Sequence, residues 1–201
     1  MIVSKDQIPS FIPTKNPKLI ILGTMASVAA REVGDNKSHF DSFYYHNKNN
    51  HFWKILQLVF EPKSPPQKFE NSREKKEFLN KWQIAMANII SEIHISDTYA
   101  QDPSDKVIFE SFQKGQVDFK KVSPKIKNIL KTTPIFFTCS QNKYIDQLLR
   151  AYFKANKLNI DVDKSVKFLM TPTRCNPMER SFGWKLRMAE MGVETKKITI
   201  P

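Results

Sequence analysis

Leu19-Ile20-Ile21-Leu22-Gly23-Thr24-Met25 is an aliphatic run that halts at a glycine and a short loop, and Tyr44-Tyr45-His46-Asn47-Lys48-Asn49-Asn50-His51-Phe52-Trp53 follows it. The first run is too short for a globular helix and reads as a buried strand. The second joins two adjacent aromatics, an amide-rich turn and Asn-x-Phe-Trp. That combination suits a pocket that stacks a flat ring on tyrosine and reads its edge with asparagine. Nucleobases are flat rings with hydrogen-bonding edges.

Further apolar segments have the same look: Ile84 to Ile90, Pro134 to Cys139 and Val166 to Met170. Helical patterns lie between them. Phe52, Trp53, Leu56, Val59 and Phe60 share one face and stop before Pro62. Tyr144, Ile145, Leu148, Leu149 and Tyr152 repeat the pattern after Ser140, read as its N-cap. Residues 73–82 and 122–131 carry weaker helices, and 182–191 a last one that Gly192 stops.

Strands alternating with helices predict an α/β fold: a three-layer sandwich with a short, mostly parallel four-stranded sheet flanked by helices, as one domain over residues 1–201. In such sheets ligands sit outside the carboxyl ends of the strands. The post-strand residues Thr24, Met25, Asn88, Cys139, Ser140, Thr173 and Arg174 are therefore expected at the site. The Lys- and Pro-rich stretch Pro62 to Glu77 reads as a surface excursion.

At 201 residues, 40% of them hydrophobic and fifteen of them Phe, the chain can fill one sizeable core. Its 32 Lys and Arg against 20 Asp and Glu give a net charge of +12. Such an excess favours a polyanionic partner, since neutralising phosphates releases condensed counterions; solubility charge alone is the plainer reading. Cys139 and Cys175 are the only cysteines. They exclude a four-cysteine zinc or iron–sulfur site and fit a reducing cytoplasm. The first residues, Met1 to Pro9, carry charge and a proline where a signal peptide would need an apolar core. No apolar run is long enough to span a bilayer, so no membrane partner is expected.

The arrangement resembles the uracil-DNA glycosylase superfamily, nearest its mismatch-specific branch and the hypoxanthine-DNA glycosylases. The family's first block is similar to Leu19-Ile-Ile-Leu-Gly23-Thr-Met-Ala-Ser27 followed by Tyr44-Tyr45 and Asn50-His-Phe52-Trp53, and the Tyr45-to-Asn50 spacing matches Tyr-x-His-Pro-Arg-Asn. Trp82-Gln-Ile-Ala-Met-Ala-Asn88 is similar to its second block and Met170-Thr-Pro172-Thr173-Arg174-Cys-Asn176-Pro177 to its third; together they span residues 19 to 187. There are departures. Met25 stands where the mismatch-uracil branch has asparagine, Ala26-Ser27 replaces Pro-Gly, and Asn47-Lys48-Asn49 replaces His-Pro-Arg.

The resemblance implies a monofunctional DNA glycosylase that acts by base excision, in DNA repair or against foreign modified DNA. It would flip one damaged or modified base from DNA and hydrolyse its N-glycosidic bond, leaving an abasic site. It implies Asn50 as the catalytic residue, Gly23, Thr24, Met25, Tyr45 and Asn88 around the base, and Thr173, Arg174 and Asn176 on DNA. No cofactor and no metal are called for, DNA is the partner, and a cytoplasmic monomer is expected. No lysine in these blocks implies a Schiff base.

Each residue also has a plainer reading. Asn50 could cap the helix beginning near Phe52. Tyr44 reads as core, leaving Tyr45 to stack a base, with Phe52 and Trp53 as core beneath. Asn88 could only satisfy backbone groups, and residues 173–176 could be an ordinary polar loop in which Arg174 is a wedge or a phosphate clamp. His46 and His51 lack metal-ligand spacing. Glu32, Asp35 and Asp41 read as solvated surface, and the lysines of 120–131 as a solvated helix face with some phosphate contact. A non-catalytic nucleic-acid-binding module on the same fold is the rival reading.

Overall fold

The computed structural model describes residues 2–26, 31–33, 43–45, 50–62, 65–66, 68–96 and 105–195, with the backbone alone for 31–33 and 105. Ser27, Asp35, Asp41, His46, Asn47, Lys48 and Asn49, named above, lie outside the described residues. In chain order the elements are β1 (Ile2–Asp6), β2 (Leu19–Gly23), β3 (Arg31–Val33), α1 (Phe52–Phe60), α2 (Ser72–Trp82), β4 (Ile84–Asn88), β5 (Ile90–Ile95), α3 (Asp105–Gln113), β6 (Val117–Phe119), α4 (Pro124–Thr132), β7 (Ile135–Phe137), α5 (Lys143–Ala155), α6 (Val162–Ser165), β8 (Val166–Phe168) and α7 (Pro177–Ala189).

The strand β2 is buried along its whole length, and its alternation sorts the core into layers. Leu19 and Ile21, with Ile84 and Met86 of β4 and Phe136 of β7, pack against Phe52, Leu56 and Val59 of α1, Phe78 and Leu79 of α2, and Trp184 and Met188 of α7. Ile20 and Leu22, with Ala85, Ala87, Ile135 and Phe137, face Ile126, Ile129 and Leu130 of α4 and Leu148, Leu149 and Tyr152 of α5. Each Leu, Ile, Val, Phe or Met side chain among them contributes about 1.5–3 kcal/mol on burial. The sheet between these layers is four-stranded in the order β4-β2-β7-β8, and every pairing in it is parallel. This is the three-layer α/β sandwich the sequence predicts.

A second, antiparallel sheet, β3-β1-β5-β6, was not anticipated. The run Ile84 to Ile90, read as one strand, serves both sheets. Its first five residues are β4; Ile89 then crosses over, donating its N–H to Gly23 O at 3.0 Å, and Ile90 N–H donates to Thr24 O at 3.0 Å as β5 begins. The crossing ties the start of the second sheet to the loop that follows β2.

Local chemistry sets the helix ends. Helix α5 is capped by Asn142, whose Oδ1 accepts from Tyr144 N and Ile145 N at 3.0 Å each; Ser140, the expected cap, lies too early in the chain. Helix α7 starts at Pro177, well before the expected 182, because Asn176 caps it and proline suits the first helical position. Gly192 closes that end at φ +71, in the left-handed region glycine accepts without strain.

Candidate functional site

The carboxyl ends of β2 and β4 are register partners, which places Gly23 beside Asn88 with both residues addressing one face. Gly23 is there because nothing larger fits: a Cβ would lie 2.6 Å from Asn88 Oδ1 and 3.0 Å from Tyr45 Oη. Two polar side-chain atoms therefore converge over one bare Cα. Asn88 is 4% exposed, yet its Oδ1 receives no donor from the described residues.

Tyr45 reaches this point from the loop before α1. Its backbone takes the left-handed conformation, φ +54, which costs a non-glycine residue energy and turns the ring inward. The ring stacks on Phe52 with centroids 4.0 Å apart and planes 16° apart. Its hydroxyl meets Thr138 Oγ1, which donates to Leu22 O at 3.2 Å. Thr138 follows β7 directly; the sequence reading named its neighbours Cys139 and Ser140 and passed over it. Tyr44, by contrast, is core, as expected: its hydroxyl donates to Pro9 O at 2.8 Å and Met86 O at 3.0 Å. Burial pushes its phenol pKa well up, and the nearby Asp6 charge adds to the rise.

The loop after β2 divides its duties. Met25 buries its side chain in the core that faces α4 and α5, at 9% exposure, so it offers the site backbone only. The N–H groups of Thr24 and Met25 have no acceptor among the described residues, whereas Ala26 N–H donates to Asp6 Oδ2 at 2.7 Å. Asp6, at the end of β1, escaped the sequence reading altogether. Its carboxylate also accepts Asn88 Nδ2 at 2.7 Å and Ile8 N at 2.9 Å and pairs with Lys120 Nζ at 3.1 Å. Most of its partners lie far away in sequence, and that separation is why no local motif announces it.

Asn50 forms a second cluster with the loop after β8. Its backbone bridges to Thr173, and His51 N–H donates to Pro172 O at 2.9 Å. The Asn50 Oδ1 accepts from Phe52 N at 2.9 Å, a local turn one residue ahead of His51, the N-cap of α1, which has no side-chain capping bond of its own. Its NH2 has no acceptor among the described residues. Nδ1 of His51 is buried with no partner among them either. Phe52 joins the clusters, its N–H bonded to Asn50 and its ring stacked on Tyr45. No hydrogen bond among the described residues links Asn50 directly to Asn88. Thr173 and Arg174 are exposed, Arg174 at φ +51 and with no acid paired to it among the described residues. Asn176 is exposed too, but its Oδ1 is taken by Met178 N at 2.9 Å as the cap of α7.

Ser140 faces elsewhere, into a cavity of about 340 Å³ at the β8 edge, shared with Gln141, Phe168, Met170, Leu186 and Arg187. The residues suited to a metal among those described are Glu92, His94 and Asp118 on the antiparallel sheet, with ligand atoms within 4.8 Å of one another. They are not part of either cluster, and Lys5 already pairs with Glu92 at 3.5 Å. Among the described residues no helix is long and apolar enough to cross a membrane.

No protein-family model matches the chain, and no curated protein matches it in sequence. Among solved structures it is similar to the solution NMR structure of a "putative Uracil DNA glycosylase" from Methanosarcina acetivorans, with a TM-score of 0.56 and 16% identity over 96% of this chain and 99% of that one. Over almost its whole length, the chain shares the fold of that protein.

Proposed function

We propose that the protein is a monofunctional DNA glycosylase that extrudes a damaged or modified base and hydrolyses its N-glycosidic bond. The observation that carries this reading is the meeting of Asn88 Oδ1 and Tyr45 Oη over Gly23, at the carboxyl ends of a parallel sheet. An aromatic platform backed by Phe52 and a carboxamide held against a bare backbone suit a planar ring with a polar edge. A fold shared with the protein described as a "putative Uracil DNA glycosylase" supports the same class, and the +12 charge supports a phosphate polymer as partner.

Cleaving the bond between base and deoxyribose leaves positive charge on the sugar and negative charge on the departing base. The Thr24 and Met25 N–H groups are preorganised donors for that negative charge, at no reorganisation cost during reaction. Asn88 reads the base edge and Tyr45 stacks the ring. With its Oδ1 committed to Phe52 N, Asn50 has its NH2 to offer, a donor that holds the attacking water or a base carbonyl but takes no proton. Arg174 and Thr173, exposed beside Asn50, meet the DNA, and Asn176 steadies their loop through its cap. Extrusion costs a few kcal/mol and is cheapest for a mispaired or damaged base.

Two observations favour the rival, a binding module without chemistry: Met25 is packed in the core, and Asn50 Oδ1 is committed to Phe52 N. The test is a panel of duplexes carrying uracil, hypoxanthine or a bulky modified pyrimidine, incubated with the protein and then treated with alkali. Strand breaks at the modified position, unaffected by EDTA, are expected from the glycosylase. Tight binding with every strand intact would establish the module instead.

A further inference from the structure

We infer that Asp6 is a specificity-determining positioning residue, which fixes the end of the Asn88 carboxamide that meets each edge of the base. The inference rests on the glycosylase reading above and deepens it. An ionised carboxylate offers about four acceptor positions. At Asp6 four donors occupy them: Ile8 N at 2.9 Å and Lys120 Nζ at 3.1 Å on Oδ1, Ala26 N and Asn88 Nδ2 at 2.7 Å each on Oδ2. The Asp6 side chain is fully buried, and Lys120 is anchored in turn by Ile8 O at 2.6 Å. With an acceptor-only group facing it, Asn88 must turn its NH2 toward Asp6 and its Oδ1 toward Gly23. The opposite rotamer would press two acceptors together in a buried site.

A primary amide carries one N–H beside its oxygen and one pointing away. The outward N–H is the one a carboxylate can take without drawing the two oxygens together. The remaining N–H and Oδ1 then lie on a common edge, donor and acceptor in a fixed order. Bases fall into two classes against such an edge. Lactam bases, such as uracil and hypoxanthine, show a ring N–H next to a carbonyl; amidine bases, such as cytosine and adenine, show a ring nitrogen next to an amino group. The two present the same pair of groups in reverse order. For a ring held in one pose on Tyr45, a clamped Asn88 matches one class and sets donor against donor with the other. An unclamped asparagine would rotate and accept both.

The experiment compares single-turnover excision within matched pairs, uracil with cytosine and hypoxanthine with adenine, each placed opposite a mismatched base. The variant is Asp6→Asn with Lys120→Met, which removes both buried charges so that no lone ammonium is left. The wild-type protein should favour one member of a pair by about a hundredfold or more, as sites built to hydrogen-bond a group do. The variant should retain slow excision with the ratio reduced to about tenfold or less. Equal loss on both members with the ratio preserved would reduce Asp6 to a support of the fold and overturn the inference. A second measurement needs no variant: in a nitrogen–proton correlation spectrum of the wild type, one Asn88 Nδ2–H should exchange far more slowly with solvent than ordinary side-chain amides. Rapid exchange of both hydrogens would overturn the clamp. Cleavage of both members at similar rates by the wild type overturns this inference alone, whereas cleavage of no substrate overturns the glycosylase reading beneath it.

Discussion

Replacing Gly23 by alanine tests the crowding at the heart of the site, because the backbone there needs no glycine. Its φ is ordinary, unlike those of Gly115 and Gly192. On backbone grounds alone, Gly→Ala would stabilise by about 0.4–1 kcal/mol through the unfolded chain. Against that, the new Cβ would stand 2.6 Å from Asn88 Oδ1 and 3.0 Å from Tyr45 Oη. Asn88 cannot swing aside, being buried and held by Asp6 at 2.7 Å. Overpacking of this kind costs about 1–3 kcal/mol. The net expectation is a loss of roughly 1–2 kcal/mol, or a Tm lowered by about 2–8 °C in a chain of this size. Excision should fall by about a hundredfold or more, since both displaced groups are the ones proposed to hold the base.

Gly183 supplies the control. A Cβ there meets Met170 Cε at 2.5 Å, a closer approach than at Gly23, but Met170 is 44% exposed and its terminal methyl can turn away. Gly183→Ala in helix α7 should therefore stabilise by about 0.5–1 kcal/mol. Urea unfolding of the two variants should give opposite signs. Equal stabilisation of both, with excision intact in Gly23→Ala, would refute the claim that Asn88 is pinned over Gly23.

Asn50→Ala should cost about 1 kcal/mol of stability as a lost hydrogen bond to Phe52 N and lower single-turnover excision by about a hundredfold; preserved activity with a collapsed Tm would make Asn50 purely structural. DNA affinity should fall with salt at a log–log slope near −0.9 per phosphate contact, and Arg174→Ala should weaken duplex binding more than single-strand binding if it acts as a wedge. Tyr152→Phe removes a buried hydroxyl with no partner among the described residues, so urea unfolding should show no loss, or a gain of up to about 1 kcal/mol. Burial raises the pKa of the Tyr44 and Tyr152 phenols in the folded state. Unfolding lets both ionise near pH 10, so the stability they contribute is intact below about that pH and is lost as pH climbs from there toward the folded values. The urea midpoint should drop in that alkaline window, and by less in Tyr44→Phe relative to its own neutral-pH midpoint.

The parallel sheet was legible because β2, β7 and β8 are short apolar runs with polar punctuation, and a strand buried on both faces needs little else. The helix over 52–60 was equally plain from its spacing and from Pro62 beyond it. The second sheet was hidden inside a continuous apolar run. Residues 84–90 change sheet at Ile89, and what makes them change is a pair of backbone bonds to Gly23 O and Thr24 O, which composition does not encode. Asn88, Gly23 and Tyr45 could be picked out as post-strand or aromatic residues near a motif. Asp6 and Thr138 could not: each acts through partners distant in sequence, and Thr138 lies inside a run that reads only as a strand. Local reading also misplaced a cap, choosing Ser140 over Asn142, since several polar residues precede that helix and only the backbone geometry selects among them.

The proposed activity is the release of a base from DNA by the groups gathered over Gly23. Its most direct test is mass-spectrometric quantification of free base and of abasic strand after the protein meets a duplex bearing one modified base. The two products should form in equal amounts with the wild type and be strongly reduced in Asn88→Ala, with its DNA affinity kept. Bound but intact DNA, with no free base from any modified substrate, would contradict it.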